Sequence, residues 1–189
     1  MSESPISITV LGVDDWATYR EVRLKALRES PSSFTATYEE EAAQDEAFWH
    51  DRMQRSLRFL ATEAGEPLGV VSLGRDSEDP SSGEVFALYV TPQARNRGVS
   101  WRLVQAVADR AQQQGMRQLL YWVGTENARA IAFGANFGFR PVGERRATRV
   151  SSPELGDSEI AMVLSLSADP GAVPNPTRGR VTPSGGALD

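Results

Sequence analysis

The chain has no cysteine, a single histidine, no long apolar run and few aromatic residues, 8% of its 189 positions. Without cysteine there is no disulfide framework, no thiolate zinc site and no cysteine nucleophile, so covalent catalysis through a protein thiol is excluded. The lone histidine, His50, has no partner ligands in the sequence, and no metal is expected. No stretch approaches the roughly 20 apolar residues that cross a bilayer. The apolar stretch Ile6 to Val13 has neither a basic region before it nor a small-residue cleavage site after it, so it does not read as a secretory signal. A cytoplasmic protein with no membrane partner is the expectation. Basic surface is missing too: 20 Lys and Arg against 25 Asp and Glu leave a formal net charge of -5, which argues against nucleic acid as a partner.

What is present fits one globular domain with a real core, 40% hydrophobic and 24% charged, over residues 1–166. Residues 167–189 differ: Pro170, Pro174, Pro176 and Pro183 sit among glycine and polar residues, and this segment reads as a flexible tail. Ile6, Ile8 and Val10 alternate with polar residues at the period of a half-buried strand. A helix follows from about Asp14 until Pro31, then a loop of small hydroxyl residues to Thr37. Thr37 and Glu40 have capping-box spacing, and the stretch to Arg55 predicts one helix or two short ones, with a largely solvated face. Arg58 to Glu63 and Leu68 to Leu73 form a hairpin around Ala64 to Pro67. Glu84 to Val90 is a strand stopped by Pro92, and the helix from Gly98 ends at Gly115. Leu119 to Val123 is a strand, Asn127 caps a helix whose Ala130, Phe133 and Phe137 share a face, and two strands close the domain. The order predicts an α/β fold with a mixed sheet.

The chemistry concentrates between Leu88 and Leu103, where a strand runs through Pro92 and a basic loop into a glycine and then a helix. The first-turn amides of a helix form an anion site, and Gly98 lets the backbone approach a phosphate closely. Arg95 and Arg97 place positive charge beside it.

Arg95, Asn96, Arg97, Gly98, Val99 and Ser100 resemble the coenzyme A pyrophosphate turn of the GCN5-related N-acetyltransferase (GNAT) superfamily. That turn has Arg or Gln, two residues, Gly, one residue, then Gly or Ala; the departure here is Ser100. About thirty residues on, Asn127, Ala130, Ile131, Phe133, Gly138 and Phe139 resemble the second cofactor segment of the family. The resemblance spans roughly Ile6 to Leu166. It implies a mixed, mostly antiparallel sheet flanked by helices, with acetyl-CoA as co-substrate. It also implies that the backbone of Leu88, Tyr89 and Val90 pairs with the pantetheine arm at a splay in the sheet, and that Asn127 bonds nearby while capping its helix. The second segment contributes Ala130 and Phe133 to the cofactor site, although Phe133, Phe137 and Phe139 read mainly as core. The implied reaction is direct attack of a neutral amine, carried by a small molecule or peptide, on the thioester. Phe34 is expected to line the acceptor pocket, since relatives place acceptor specificity between the first two helices. Dimerisation through the last strands is common in the family, which makes a homodimer one expectation.

An amine with a pKa of roughly 10 must lose a proton before attack. Glu84, opening the strand that leads to the turn, is the candidate base; a solvated glutamate at a strand edge is the equal alternative. The family's thiolate-protonating tyrosine corresponds to Gly134, so Tyr89, Tyr121, Ser100 or water is left for that role. If an acid is simply missing, Gly134→Tyr is expected to raise turnover. Glu39, Glu40, Glu41, Asp45 and Glu46 read as a solvated helix start. Trp122 reads as core and Trp101 as lying near the cofactor helix surface. Two rival functions remain: an acyl-CoA-binding relative without efficient catalysis, acting as a sensor or interaction module, and a nicotinamide oxidoreductase. The latter lacks the Gly-x-Gly-x-x-Gly fingerprint.

Overall fold

The computed structural model describes residues 5–152 and 156–166. A seven-stranded sheet runs through them in the order β1-β2-β3-β4-β5-β7-β6. Its strands are β1 (Ser7–Leu11), β2 (Leu57–Glu63), β3 (Glu66–Arg75), β4 (Ser82–Val90), β5 (Gln118–Gly124), β6 (Arg140–Ser152) and β7 (Gly156–Ser165). Only β4 and β5 run parallel; every other neighbouring pair is antiparallel. Such a pair needs a long crossover, and α4 (Val99–Gln113) supplies it. The remaining helices are α1 (Trp16–Glu29), α2 (Tyr38–Ala42), α3 (Glu46–Arg55) and α5 (Ala128–Phe137). The expected tail at 167–189 lies outside the described residues.

The two-residue period of the strands divides the core between the two faces. Phe59, Val71, Val85 and Leu119 pack with Val99, Leu103, Val104, Val107 and Ala111 of α4. Leu60, Val70 and Tyr89 face the other way, onto Val22, Ala26 and Leu27 of α1 and Trp49 and Met53 of α3. Each such aliphatic residue fully buried stabilises the fold by about 1.5–3 kcal/mol over exposure. Helix α4 ends in a Schellman motif: Gly115 takes φ 76°, Met116 N donates to Ala111 O at 3.0 Å and Gly115 N to Gln112 O at 3.0 Å, which spares a Cβ the left-handed strain.

Several sequence expectations shift in detail. The stretch from Thr37 to Arg55 forms two helices, and its capping box is present: Thr37 N donates to Glu40 Oε2 and Glu40 N to Thr37 Oγ1. Its face is less solvated than expected, because Glu41 and Met53 are buried and Trp49 is 0% exposed. The β2–β3 turn is only Ala64–Gly65, and Pro67 falls within β3 opposite Thr62, beside a register shift at Ala61/Thr62. A bulge relieves the ladder bond that proline cannot make. Strand β4 begins at Ser82, so Glu84 lies inside it, paired with Gly74 on one side and Leu120 on the other.

Candidate active site

The parallel pair opens into a wedge. Pairing of β4 with β5 stops at Val85↔Tyr121. Beyond it, β4 follows β3 as far as Gly69↔Val90, while β5 follows β7 as far as Gly124↔Glu159. The physical cause is a bulge in β4: Val70 pairs with Tyr89 and Ser72 with Phe86, so Ala87 and Leu88 oppose Val71 alone. Ala87 takes φ 52° there, and a bulge bends its strand and strengthens the local twist. On the side facing β5, the backbone from Phe86 to Val90 therefore has no strand partner.

At the end of β4 the chain turns through Asn96 (φ 63°) and Gly98 (φ 76°) into α4. No non-neighbouring atom lies within 4 Å of where a Cβ on Gly98 would sit, so the first-turn amides of α4, which have no intrahelical acceptors, look onto open space. Arg95 is anchored beside them, with Nε donating to Val90 O and Nη2 to Ser30 Oγ, each at 3.3 Å. Across the wedge, the Asn127 side-chain oxygen accepts from Ala130 N at 3.0 Å and caps α5, leaving its NH2 group as a donor for a ligand.

A cavity of about 970 Å³ fills the wedge and brings the expected residues together. Its wall includes Glu84, the run from Leu88 to Val90, Arg95, Asn96, Gly98 to Ser100, Asn127, Ala130, Phe133 and, from the loop after α1, Phe34. Arg97 is the exception. It is not on the wall, and its Nη2 pairs with Glu63 Oε1 on β2 at 2.7 Å. The charge expected to face the pyrophosphate is thus held against the neighbouring hairpin.

Several wall residues were not singled out from sequence. The Glu84 side chain is 31% exposed and lies 3.9 Å from Arg146 Nη2. Arg146 also pairs with Glu159 at 2.5 Å and stacks its guanidinium 4.3 Å from the Trp122 ring. Trp122, expected in the core, is instead half-buried on this wall. Trp101 is 46% exposed, its ring 4.6 Å from Phe137. Among the described residues, no group of three or more His, Asp or Glu is gathered as a metal would require.

The two tyrosines differ. Tyr89 donates its hydroxyl to Glu29, and burial, with that bond and the Glu29 charge, pushes its pKa well up. Its proton is already committed. Tyr121 is pushed up to about 12 by burial. Gly134 faces it: a Cβ there would sit 3.5 Å from Tyr121 Cδ1 and 3.2 Å and 3.3 Å from Met162 Sδ and Cε. A side chain at 134 would therefore press on Met162 and lie against Tyr121, so a tyrosine added there has to displace its neighbours before it can serve as an acid.

A mixed sheet wedged open at its one parallel pair, with a glycine-led helix N-terminus beside the wedge, is the fold of solved N-acetyltransferases. The E. coli ribosomal-protein-S18-alanine N-acetyltransferase superposes with a TM-score of 0.65 at 19% identity, over 89% of this chain and 99% of that one. YncA of Salmonella typhimurium, solved with its cofactor acetyl-CoA, gives 0.66 at 20% identity over 90% and 100%. The chain belongs to the acetyltransferase (GNAT) family, whose sequence model matches residues 24–139. Mycothiol acetyltransferase of Beutenbergia cavernae is 29% identical over 118 residues, 62% of this chain but 39% of that protein. The L-methionine sulfoximine/L-methionine sulfone acetyltransferase of Pseudomonas aeruginosa is 29% identical over 101 residues, 51% of this chain and 59% of that protein. The chain therefore spans well under two thirds of these relatives. Among the described residues, no helix is long and apolar enough to cross a membrane.

Proposed function

We propose that the chain transfers the acetyl group of acetyl-CoA to a primary amine of a small molecule or peptide, by direct attack and without a covalent enzyme intermediate. The observation that carries this reading is the single cavity in which the Gly98 turn, the unpaired edge of β4 and the Asn127 cap converge on Glu84. The amides at the start of α4, with Arg95, suit a pyrophosphate. The backbone of Phe86 to Val90, without a strand partner on the side facing β5 though Val90 O accepts from Arg95, suits the amides of a pantetheine arm, which would lie in the wedge as an extra strand.

Bound there, acetyl-CoA supplies the activated acyl carbon; the chain's residues handle position and protons. Glu84 receives the proton of the incoming ammonium, directly or through one water, within the same cavity. The amine nitrogen then bonds to the acyl carbon, the carbon–sulfur bond breaks, the thiolate departs with the electron pair, and the second proton shed by the new amide nitrogen passes through water to the sulfur. A coenzyme A thiol resembles cysteine, with a pKa of roughly 8.5. Full proton transfer from Tyr121 at about 12 is uphill by several pKa units, on the order of 5 kcal/mol. Its phenol suits the role of a hydrogen-bond donor to the departing sulfur, with water completing protonation.

The relatives named for mycothiol and for methionine sulfoximine support small-molecule acceptors. The test is release of free thiol from acetyl-CoA by the full chain in the presence of a panel of primary amines. Amine-dependent release is expected; tight acetyl-CoA binding with no release for any amine leaves the non-catalytic binder as the correct reading.

A further inference from the structure

The cavity wall formed by α1 and α3 carries an unbalanced charge. Arg23 and Glu41 are 5% and 3% exposed and form a two-pronged pair, Nε to Oε2 and Nη2 to Oε1, both 2.9 Å. Arg52 Nη1 joins the same carboxylate at 2.8 Å, its side chain 23% exposed. Two guanidiniums therefore share one carboxylate. Neither pairs with any other acid among the described residues, and Arg23 Nη1, fully buried, has no hydrogen-bond partner. The aromatic faces around the pair attract the cations but bring no counter-charge. The Phe34 ring lies over the Arg23 guanidinium at 4.4 Å, and Arg58, behind the pair, adds another buried cation whose Nε and Nη1 are also unpartnered. A buried donor left without a partner is costly, the more so when it is charged, so a wall of this kind suits a ligand that completes it.

Both Arg23 and Arg52 line the cavity that holds Glu84, and Phe34, also on its wall, stacks over the first of them. A guanidinium presents coplanar donors that match a carboxylate in geometry and charge. The trio carries one net positive charge and Arg58 adds a second nearby, so the subsite as a whole favours an anion.

We propose that the acceptor amine itself bears a carboxylate, as a free amino acid does, which binds Arg23 Nη1 and Arg52 while the amine faces Glu84. Phe34 forms the lid of this subsite and turns aside to admit the acid. The inference rests on the transferase reading above and narrows its substrate class.

The test gives the full chain acetyl-CoA with alanine, leucine and glutamine, each beside its amide and its decarboxylated amine, and with O-phosphoethanolamine, following thiol release. An amino-acid amide has the lower amine pKa, roughly 8, and is the better intrinsic nucleophile near neutral pH. Preference for the acid therefore runs against inherent reactivity. The expected result is at least a tenfold higher kcat/KM for the acids, expressed in KM. Arg52→Gln, which leaves the Arg23–Glu41 pair standing, should narrow the acid-to-amide ratio at least fivefold, and Arg23→Lys, which drops the free Nη1, should narrow it too. Equal or better use of the amides, the simple amines or the phosphate compound overturns the inference and leaves the transferase reading intact. Should no amine release thiol, the transferase reading fails, and calorimetric titration with N-acetylleucine against its amide decides the subsite alone: tighter binding of the acid, weakened in Arg52→Gln, supports it, and equal or absent binding overturns it.

Discussion

Glu84 sits in the third position of β4, two residues before the strands part, with its carboxylate on the cavity wall and Arg146 3.9 Å away. A base so placed is needed only while the acceptor arrives protonated. Glu84→Gln should lower kcat/KM by about 10²-fold, within the range of a single general base, and flatten the acidic limb of the pH–rate profile. Acetyl-CoA affinity, measured by calorimetry, should stay within about twofold, since the cofactor elements do not depend on that carboxylate. An unchanged profile would make Glu84 a structural partner of Arg146. Gly134 raises the opposite question, how a side chain added there would fit. Met162 Sδ and Cε would have to yield a few tenths of an ångström to a Cβ alone, and overpacking by a whole tyrosine ring costs about 1–3 kcal/mol. Gly134→Tyr is thus expected to lower the unfolding midpoint in denaturant and reduce turnover. Combining it with Met162→Ala should recover part of the stability; failure to recover any would mean that Met162 is not what fills the site.

At the scale of elements, the docking of α2 and α3 onto α1 turns on Glu41. Burial pushes its carboxyl up, but the hydrogen bonds and charges of Arg23 and Arg52 outweigh burial and hold it below the ordinary value of 4.5. A carboxylate with a folded-state pKa below its unfolded one contributes stability that is complete above the unfolded value and is lost as pH falls through the folded one. Glu41→Gln should therefore cost about 3 kcal/mol at neutral pH, because it strands the buried Arg23 guanidinium and the half-buried one of Arg52, and the gap to the unaltered protein should shrink below pH 4.5; urea titrations at the two pH values measure both. Sequence reading placed Glu41 on a solvated helix start because only tertiary packing turns that face inward. The same limit applies to the bulge at Ala87, since alanine carries no sign of a left-handed φ, and to Trp122, whose strand is core on one face and cavity on the other. What the sequence carried well were features with local rules, the Thr37 and Asn127 caps and the glycine turn before α4, whereas the alternation of β1 fails at Val10, which is 41% exposed.

For the molecule as a whole, the formal charge is -5, yet the cavity wall carries Arg23, Arg52, Arg95, Arg129 and Arg146 against Glu29, Glu84 and Glu159. The two levels make opposite statements about an anionic co-substrate. Were net charge in control, the protein would repel coenzyme A phosphates, and added salt would tighten binding. With the local field in control, salt weakens it, because the Debye length falls from about 30 Å at 0.01 M to about 3 Å at 1 M. A cleft with low-dielectric walls focuses its own field, so the second outcome is expected: the acetyl-CoA Kd should rise by roughly tenfold across that range. Arg95→Ala should flatten the dependence, whereas Arg97→Ala, its guanidinium held by Glu63 off the wall, should leave the slope nearly unchanged. Equal slopes for the two variants would place Arg97 at the phosphates after all, and show that its bond to Glu63 opens when the cofactor binds.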